Sequence, residues 1–589
     1  MRFIGPIARG VFVLGVVLAC ADRVLAGGIE LTGAGAQATG RGGAVTARAD
    51  DPMVLKYNPA GLAELQGSQL LLDNSIILMN ACVDPIGYYG WGTYGFANPA
   101  RLVAANGQTS TVPLGSNDPV ATQYASDPYD TVCMKQRPFP VPQLGATFRL
   151  TDRLGVGFGL MFPQAQPMGQ WGDANGMIQG RNGLRPAATR YMMINAGTLG
   201  IFPTVGFGFR LADFFRIGAS FEWGIINVDN TNAAVVFGGN SPGQDIVARI
   251  QGTDWFIPAV TASAHFVPVD SLDIVASFRW QDTLHAAGTI NLNTNVFDPA
   301  GRGNVSTMIV DDIEFHLPYK LRAGIRYSQR LAPRQRTGDG LNKTKFGAGE
   351  RLHDPMQDER WDIEADIEYL MSNNNQAQII RFAPDQKVAF VRADGGVTEA
   401  AFPQLNRPGG TTDTVIPKRF QNQISVSVGG SYNMLPGLFA MSLGGHYETR
   451  GVDPAYMQLD YWPLSRFGLH AGIKFRVGRT VDLTFAYAHI FQETLVVGAP
   501  QHMEGSDIAS NFVQTGNVSS VDKRVGVAAT RGEVIEPLEE QLPSRAPDAT
   551  AALTQNATQT SSARAPFIIN TGTYRSSFDV ISIGANVHF

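Results

Sequence analysis

The chain has 589 residues, a formal net charge of −5, only 16% charged residues and 10% aromatics, with 65 glycines. So small a charge, with no basic cluster tracking a groove, argues against a nucleic-acid partner. A length that would otherwise give roughly four soluble domains, joined to few charges and many glycines and aromatics, points to one large β-barrel in an outer membrane.

Residues 1–26 read as a secretory signal: Arg2 and Arg9 supply the basic start, Val11 to Leu18 a short apolar run, and Val24-Leu25-Ala26 a cleavage site. The run is too short to span a bilayer, and no later apolar run is long enough for a helical span. The mature chain is expected to begin at Gly27. Val17-Leu18-Ala19-Cys20 also resembles a lipoprotein box, with Leu18 a poor fit.

Residues 27–66 have neither the alternation of a strand nor a helical face. Glycines such as Gly42 and Gly43 allow positive φ and close backbone approach. Asp50-Asp51-Pro52 and Asn58-Pro59-Ala60 read as turns. Such a segment cannot bury enough apolar surface to hold itself together. It is either a flexible linker or a plug shaped by the walls of a larger structure.

Residues 67–589 carry period-2 alternation. At the end of the chain Ile581, Ile583, Ala585, Val587 and Phe589 share one parity, and Ser582, Gly584, Asn586 and His588 the other. The second parity is small and polar, which suits a lumen, with the apolar parity facing lipid; a soluble β-sandwich is the alternative. The rule gives about fourteen strands. They lie near Gln69–Asn80, Val141–Leu150, Leu154–Phe162, Leu199–Leu211, Phe214–Ile226, Trp255–Val267, Leu272–Gln281, Pro318–Gln329, Trp361–Ser372, Asn422–Tyr432, Leu438–Thr449, Arg466–Val477, Thr480–Phe491 and Phe578–Phe589. Short connections alternate with long ones, as periplasmic turns alternate with outer loops. Arg330 to Arg360 breaks the pattern, being long on the short-turn side. Cys82 and Cys133 flank the first long loop, and an oxidising compartment predicts a disulfide there, two free thiols being the alternative. A barrel this wide is not filled by its own wall side chains, so unplugged it would be an aqueous hole.

Arg41-Gly42-Gly43-Ala44, Ala47 to Asp51 and Asn58-Pro59-Ala60-Gly61-Leu62 resemble the N-terminal hatch of the FadL/TodX family of outer-membrane transporters of long-chain fatty acids and aromatic hydrocarbons. The resemblance implies a fourteen-stranded antiparallel barrel with the hatch inside its lumen. It also implies ligand capture by outer loops, a pocket closed by the hatch, and lateral exit through the wall at a kinked third strand. Here Gly155, Gly157 and Gly159 could supply that kink, or serve as small lumen-facing packing.

Lys320, Arg322 and Arg326 share a lumen parity with Asp362, Glu364, Asp366 and Glu368 on the next strand, which predicts a ladder of ion pairs. Alternatively one of Lys320, Arg322 and Arg326, or Arg149, Arg210 or Arg279 on lumen parities elsewhere, meets a ligand carboxylate. Tyr88, Tyr89, Trp91, Tyr94, Phe96, Trp171, Met192 and Met193 read as exposed greasy loop residues, and Phe162 and Phe202 as girdle aromatics. No metal spacing, cofactor motif or nucleophile motif is found. The expected function is passive uptake of a hydrophobic small molecule by a monomer in contact with outer-membrane lipid, with no enzyme activity. The alternative is a general porin or a loop-presenting adhesin on the same barrel.

Overall fold

The computed structural model describes residues 31, 33–65, 67–85, 101–103, 109–111, 128–163, 169–181, 183–235, 245–294, 304–334, 354–391, 397–401, 413–497, 570 and 572–589. The signal segment with Cys20, and the loop aromatics from Tyr88 to Phe96, lie outside them.

Fourteen antiparallel strands close into a barrel. They are β1 (Ser68–Pro85), β2 (Phe139–Arg149), β3 (Leu154–Met161), β4 (Leu199–Ala212), β5 (Phe215–Val235), β6 (Asp245–Val269), β7 (Leu272–Gln281), β8 (Tyr319–Arg330), β9 (Glu359–Met371), β10 (Gln423–Leu435), β11 (Phe439–Glu448), β12 (Arg466–Val477), β13 (Val481–Gln492) and β14 (Gly572–His588). Each pairs with its neighbours in the chain, and the ring shuts where β14 meets β1, from Gln69 opposite His588 to Pro85 opposite Gly572. Closure leaves no open edge, which a bilayer would not tolerate.

The exposed parity is apolar around the whole ring: Leu70 and Leu72 on β1, Phe467 and Leu469 on β12, Phe485 and Tyr487 on β13, Ile581 and Ile583 on β14. The buried parity is polar, with Ser263, Arg326, Asp362, Ser427 and Ser582 all hidden. This inverts a soluble protein. A continuous apolar belt of that extent needs lipid to cover it.

Two strands run well past their expected ends. Residues Asn227–Val235 of β5 pair with Asp245–Thr253 of β6, and the far side of that stretch of β6 pairs with Leu284–Thr294. Asn304–Phe315, Ala377–Phe382 and Asp413–Pro417 continue the sheet. This wall stands beyond the lipid belt, so Asp229, Arg249 and Gln251 occupy the parity that apolar residues hold lower down. The alternation that marks a membrane strand is therefore missing there. Above the lumen the loops share a core in which Trp171 stacks on Trp462 at 5.6 Å and Trp462 meets Tyr574 edge-on at 5.7 Å. Trp171, Met192 and Met193 are buried in this core rather than exposed. Cys82 and Cys133 lie opposite each other in register and are joined as a disulfide.

The long connection between β8 and β9 has a structural reason. Its described ends fold under the barrel mouth, with Leu331 N donating to Asp358 O at 2.6 Å to close its neck. Arg334 pairs with Asp273 of β7 at 2.5 Å. Asp354, which caps the short helix Pro355–Asp358, accepts from Arg476 of β12 at 3.0 Å. Its two described ends thus contact different sides of the mouth.

Residues 33–65 fill the lumen. Helix α1 (Ala36–Gly40) lies against β1, β11, β12, β13 and β14; helix α2 (Val54–Tyr57) leads into a 3₁₀ turn, Pro59–Ala63, packed on β2 to β6. Glycines set this fit. A Cβ at Gly429 would lie 2.1 Å from Arg41 O, and one at Gly444 would lie 2.3 Å from it. Replacing Gly444 by Val is expected to leave the barrel assembled, as judged by heat-modifiable mobility, while overpacking costs about 1–3 kcal/mol and displaces the hatch. Planar-bilayer conductance should rise accordingly.

Candidate functional site: the hatch and the lumen cavity

The first half of the hatch is held by charge. Arg41 donates to Asp362 at 2.7 Å and to Glu364 at 3.2 Å, and Arg48 donates to Asp362 at 2.9 Å. The amides of Val45 and Thr46 donate to Asp366 at 3.0 and 2.9 Å, and that of Ala47 to Glu364 at 2.6 Å. Positive φ at Gly42 and Gly43, 66° and 85°, turns the chain so that these three amides face β9. The expected cross-strand ladder is therefore only partly formed. Arg322 pairs with Glu368, and Arg326 with Asp362, Glu359 and Asp273. Glu364 and Asp366 turn inward instead, because the hatch backbone lacks partners of its own. On the far side of the lumen His470 bonds to Thr39 O at 2.7 Å and to His446 at 2.8 Å.

The second half is held by packing and a terminal anchor. A Cβ at Gly155 would lie 1.9 Å from Leu62 O, one at Gly208 2.7 Å from Pro59 O, and one at Gly218 2.4 Å from Ala60 N. Ala60 N donates to Ser263 and Ser220 donates to Leu55 O, at 2.8 and 2.9 Å. The Asn58 side chain is buried, and neither of its polar atoms has a hydrogen-bond partner among the described residues. Glu64 closes the segment, paired with Arg210, Arg216 and Arg334. Burial opposes its charge, but Arg216, Arg210 and Arg334 outweigh that and hold the carboxyl well below the usual range. Arg149 donates to Ala63 O at 3.1 Å and to Leu65 O at 3.0 Å. It serves the hatch and does not line the cavity described next.

Between the hatch and the wall lies a small cavity that opens to solvent. Met161, Phe162, Pro163 and Phe202 give its apolar end; Lys56, Arg279, Lys320 and Arg322 give four cations against one carboxylate, Glu222. Arg279 chelates Glu222 through two bonds of 3.0 and 2.7 Å. Lys320 and Arg322, singled out from the sequence, are thus brought together here. Phe162 and Phe202 face this cavity and not the lipid, a correction to their girdle assignment. Sequence reasoning missed Lys56, since no pattern shows which way a residue of the Gly-rich segment points. Glu222, on the lumen parity of β5 two strands from Arg279, was legible in principle.

Gly155, Gly157 and Gly159 do not break the wall. β3 pairs without a register shift over Gly155–Met161 with β2 and over Leu154–Met161 with β4. The interruption comes one step later. β2 runs on to Phe139, paired with β1 alone, while β3 has ended at Met161. Gln143 bridges the end by donating to Phe162 O at 2.7 Å and accepting from Phe162 N at 3.1 Å. Pro140, Pro142, Pro163 and Pro203 surround the spot and remove ladder donors from it. Elsewhere, His285, Asp312 and Glu314 converge on the outer face of the wall, but Arg381 is paired with both carboxylates.

A closed transmembrane barrel whose lumen is filled by its own leading segment, with a cavity between that segment and the wall, defines a hatch-plugged barrel. No family model matches the sequence, and no curated protein matches it. Among solved structures, a Pseudomonas aeruginosa FadL homologue aligns over 96% of this chain and 100% of its own, with a TM-score of 0.57 and 12% identity. The Pseudomonas putida toluene transporter TodX aligns over 96% and 99%, with a TM-score of 0.51 and 13% identity. The resemblance read from the hatch residues thus extends to the fold of nearly the whole chain.

Asp362 carries Arg41, Arg48 and Arg326 together, and breaking a buried pair costs about 3–5 kcal/mol. Asp362→Asn should leave barrel closure intact and raise both conductance and proteolysis between residues 41 and 48; unchanged values in both would show that the charges do not hold the hatch.

Proposed function

We propose that this protein carries hydrophobic compounds passively across an outer membrane, and that its ligands are long-chain fatty acids. The observation that carries this reading is the cavity. Its lining is apolar at the end of β3 and strongly basic where Lys320 and Arg322 stand, the chemistry that a tail and a carboxylate would each ask for. Ligand caught by the outer loops reaches the cavity and leaves sideways where β3 ends among prolines. A chain that stays in apolar surroundings keeps about 0.8 kcal/mol per CH₂ that a wet channel would forfeit. A gradient of affinity then suffices, and no energy source is needed.

Asn58-Pro59-Ala60, with Gly42 and Gly43, forms the gate in this reading, and residues 27–66 act as one hatch unit. A general porin would need a lumen clear of residues 33–65, which pack against the wall throughout. An adhesin would use the loops alone and has no need of a basic cavity beside the hatch.

In a deletion strain complemented with this gene, uptake of labelled oleate should be restored, and uptake of labelled toluene should not. Equal rescue by toluene would move the ligand class to neutral hydrocarbons. Rescue of neither would remove the transport reading. Arg322→Gln together with Lys320→Gln should lower oleate uptake by at least about tenfold, the cost of losing even one of the two charge-assisted contacts.

A further inference from the structure

The hatch brings a charge of its own to the cavity. Lys56, in helix α2, lines it together with Arg279, Lys320 and Arg322 of the wall. The wall also touches the same helix, for the Arg322 guanidinium lies 4.7 Å from the Tyr57 ring centroid, and the Tyr57 hydroxyl donates to Ala34 O at 2.8 Å.

We propose that Lys56 is the residue through which an anionic ligand moves the hatch, so that the headgroup as well as the tail decides which hydrophobic compounds pass. This rests on the transport reading above and adds to it a specificity-determining residue.

A ligand shifts an equilibrium only by interacting differently with its two states. Arg279 is fixed to Glu222 and Arg322 to Glu368, all on barrel strands that do not change place. An anion held by Arg279 alone would bind the closed and the opened hatch equally, and one held by Arg322 would feel the hatch only through the Tyr57 ring. Lys56 differs because its segment lies between charge-anchored points, Arg48 bound to β9 and Asp50 to β12 on one side and Glu64 at the mouth on the other. Between those points the polar ties to the wall include the serine contacts to Leu55 and Ala60, and the Asn58 amide is buried without a partner among the described residues. The backbone of Pro59–Ala63 sits directly on glycines at the start of β3 and on its neighbours β4 and β5, and α2 packs further along β3 toward the cavity, so displacement of α2 loosens the segment between that turn and the end of β3. A neutral hydrocarbon can fill the apolar end, among Met161, Phe162 and Phe202, without engaging Lys56. It occupies the cavity and leaves the hatch closed.

The test is hydrogen exchange on the purified full-length barrel in detergent, following the amides of residues 54–63 with oleate or methyl oleate present. Oleate should speed exchange there about tenfold in the wild type and in Lys56→Arg, and methyl oleate should not. Lys56→Gln should lose the response while still binding oleate through Lys320 and Arg322, as read by displacement of a fluorescent fatty acid. An undiminished oleate response in Lys56→Gln overturns the proposal, and so does an equal response of the wild type to the methyl ester, a comparison that needs no variant. Failure of oleate to bind the wild type would instead overturn the transport reading on which the proposal rests.

Discussion

The hatch has almost no secondary structure of its own, and its polar backbone must therefore be satisfied by the barrel wall. Its two helices have five and four residues, far too short to be stable alone. In a lumen largely emptied of water, amides left unpaired would each cost several kilocalories. The wall answers in two ways. Asp366 and Glu364 accept from three consecutive amides. Glycines at 429 and 444 let the Arg41 carbonyl approach to a distance no Cβ would permit. Acceptors and absences of side chain alternate on the inward parity, and together they give the leading segment a shape that it lacks in solution.

This explains why β9 is so acidic. A row of four carboxylates on one strand would repel itself across a lumen. Arg41 and Arg48 bring positive charge from the hatch, and Arg326 and Arg322 bring it from β8. The wall thus depends on the hatch as the hatch depends on the wall. A buried charge network of this kind adds little stability over an apolar filling of the same volume, but it is strongly directional. Its effect is to fix where the first half of the hatch sits and in which register.

How far the sequence disclosed this follows from the same physics. Lipid takes the place of a core, so outward residues such as Phe467, Leu469, Ile581 and Ile583 announce each spanning strand by alternation alone. Above the lipid the alternation disappears, and the upper halves of β5 and β6 with it. The row Asp362, Glu364, Asp366 was legible as facing the lumen, because parity reports the face. It could not report that Arg41 and the amides of residues 45–47 stand opposite, since that contact spans more than three hundred residues. Phe202 shares the inward parity of Thr204 and Gly206, yet its size suggested a girdle. The strap between β8 and β9 carries no periodic signal at all, and only the pairing of Arg334 and Asp354 with different sides of the mouth gives it meaning.

The two halves of the hatch differ in what holds them, and that difference bears on how a plugged barrel can pass anything without leaking. If the whole segment left the lumen, a barrel of about fourteen strands would open an aqueous channel. Here the charge-anchored half, from Arg41 to Arg48, lies against β8 to β11, away from the cavity. The packed half lies against β2 to β6, beside the cavity and the proline-flanked end of β3. Local openings draw on the least stable contacts of a structure, and the packed half borders a stretch where wall pairing is already interrupted. In the transport proposed above, a shift of the packed half would join the cavity to the bilayer while the anchored half still fills the lumen. Water and ions would then meet a cork at every stage, and an oily molecule a side door.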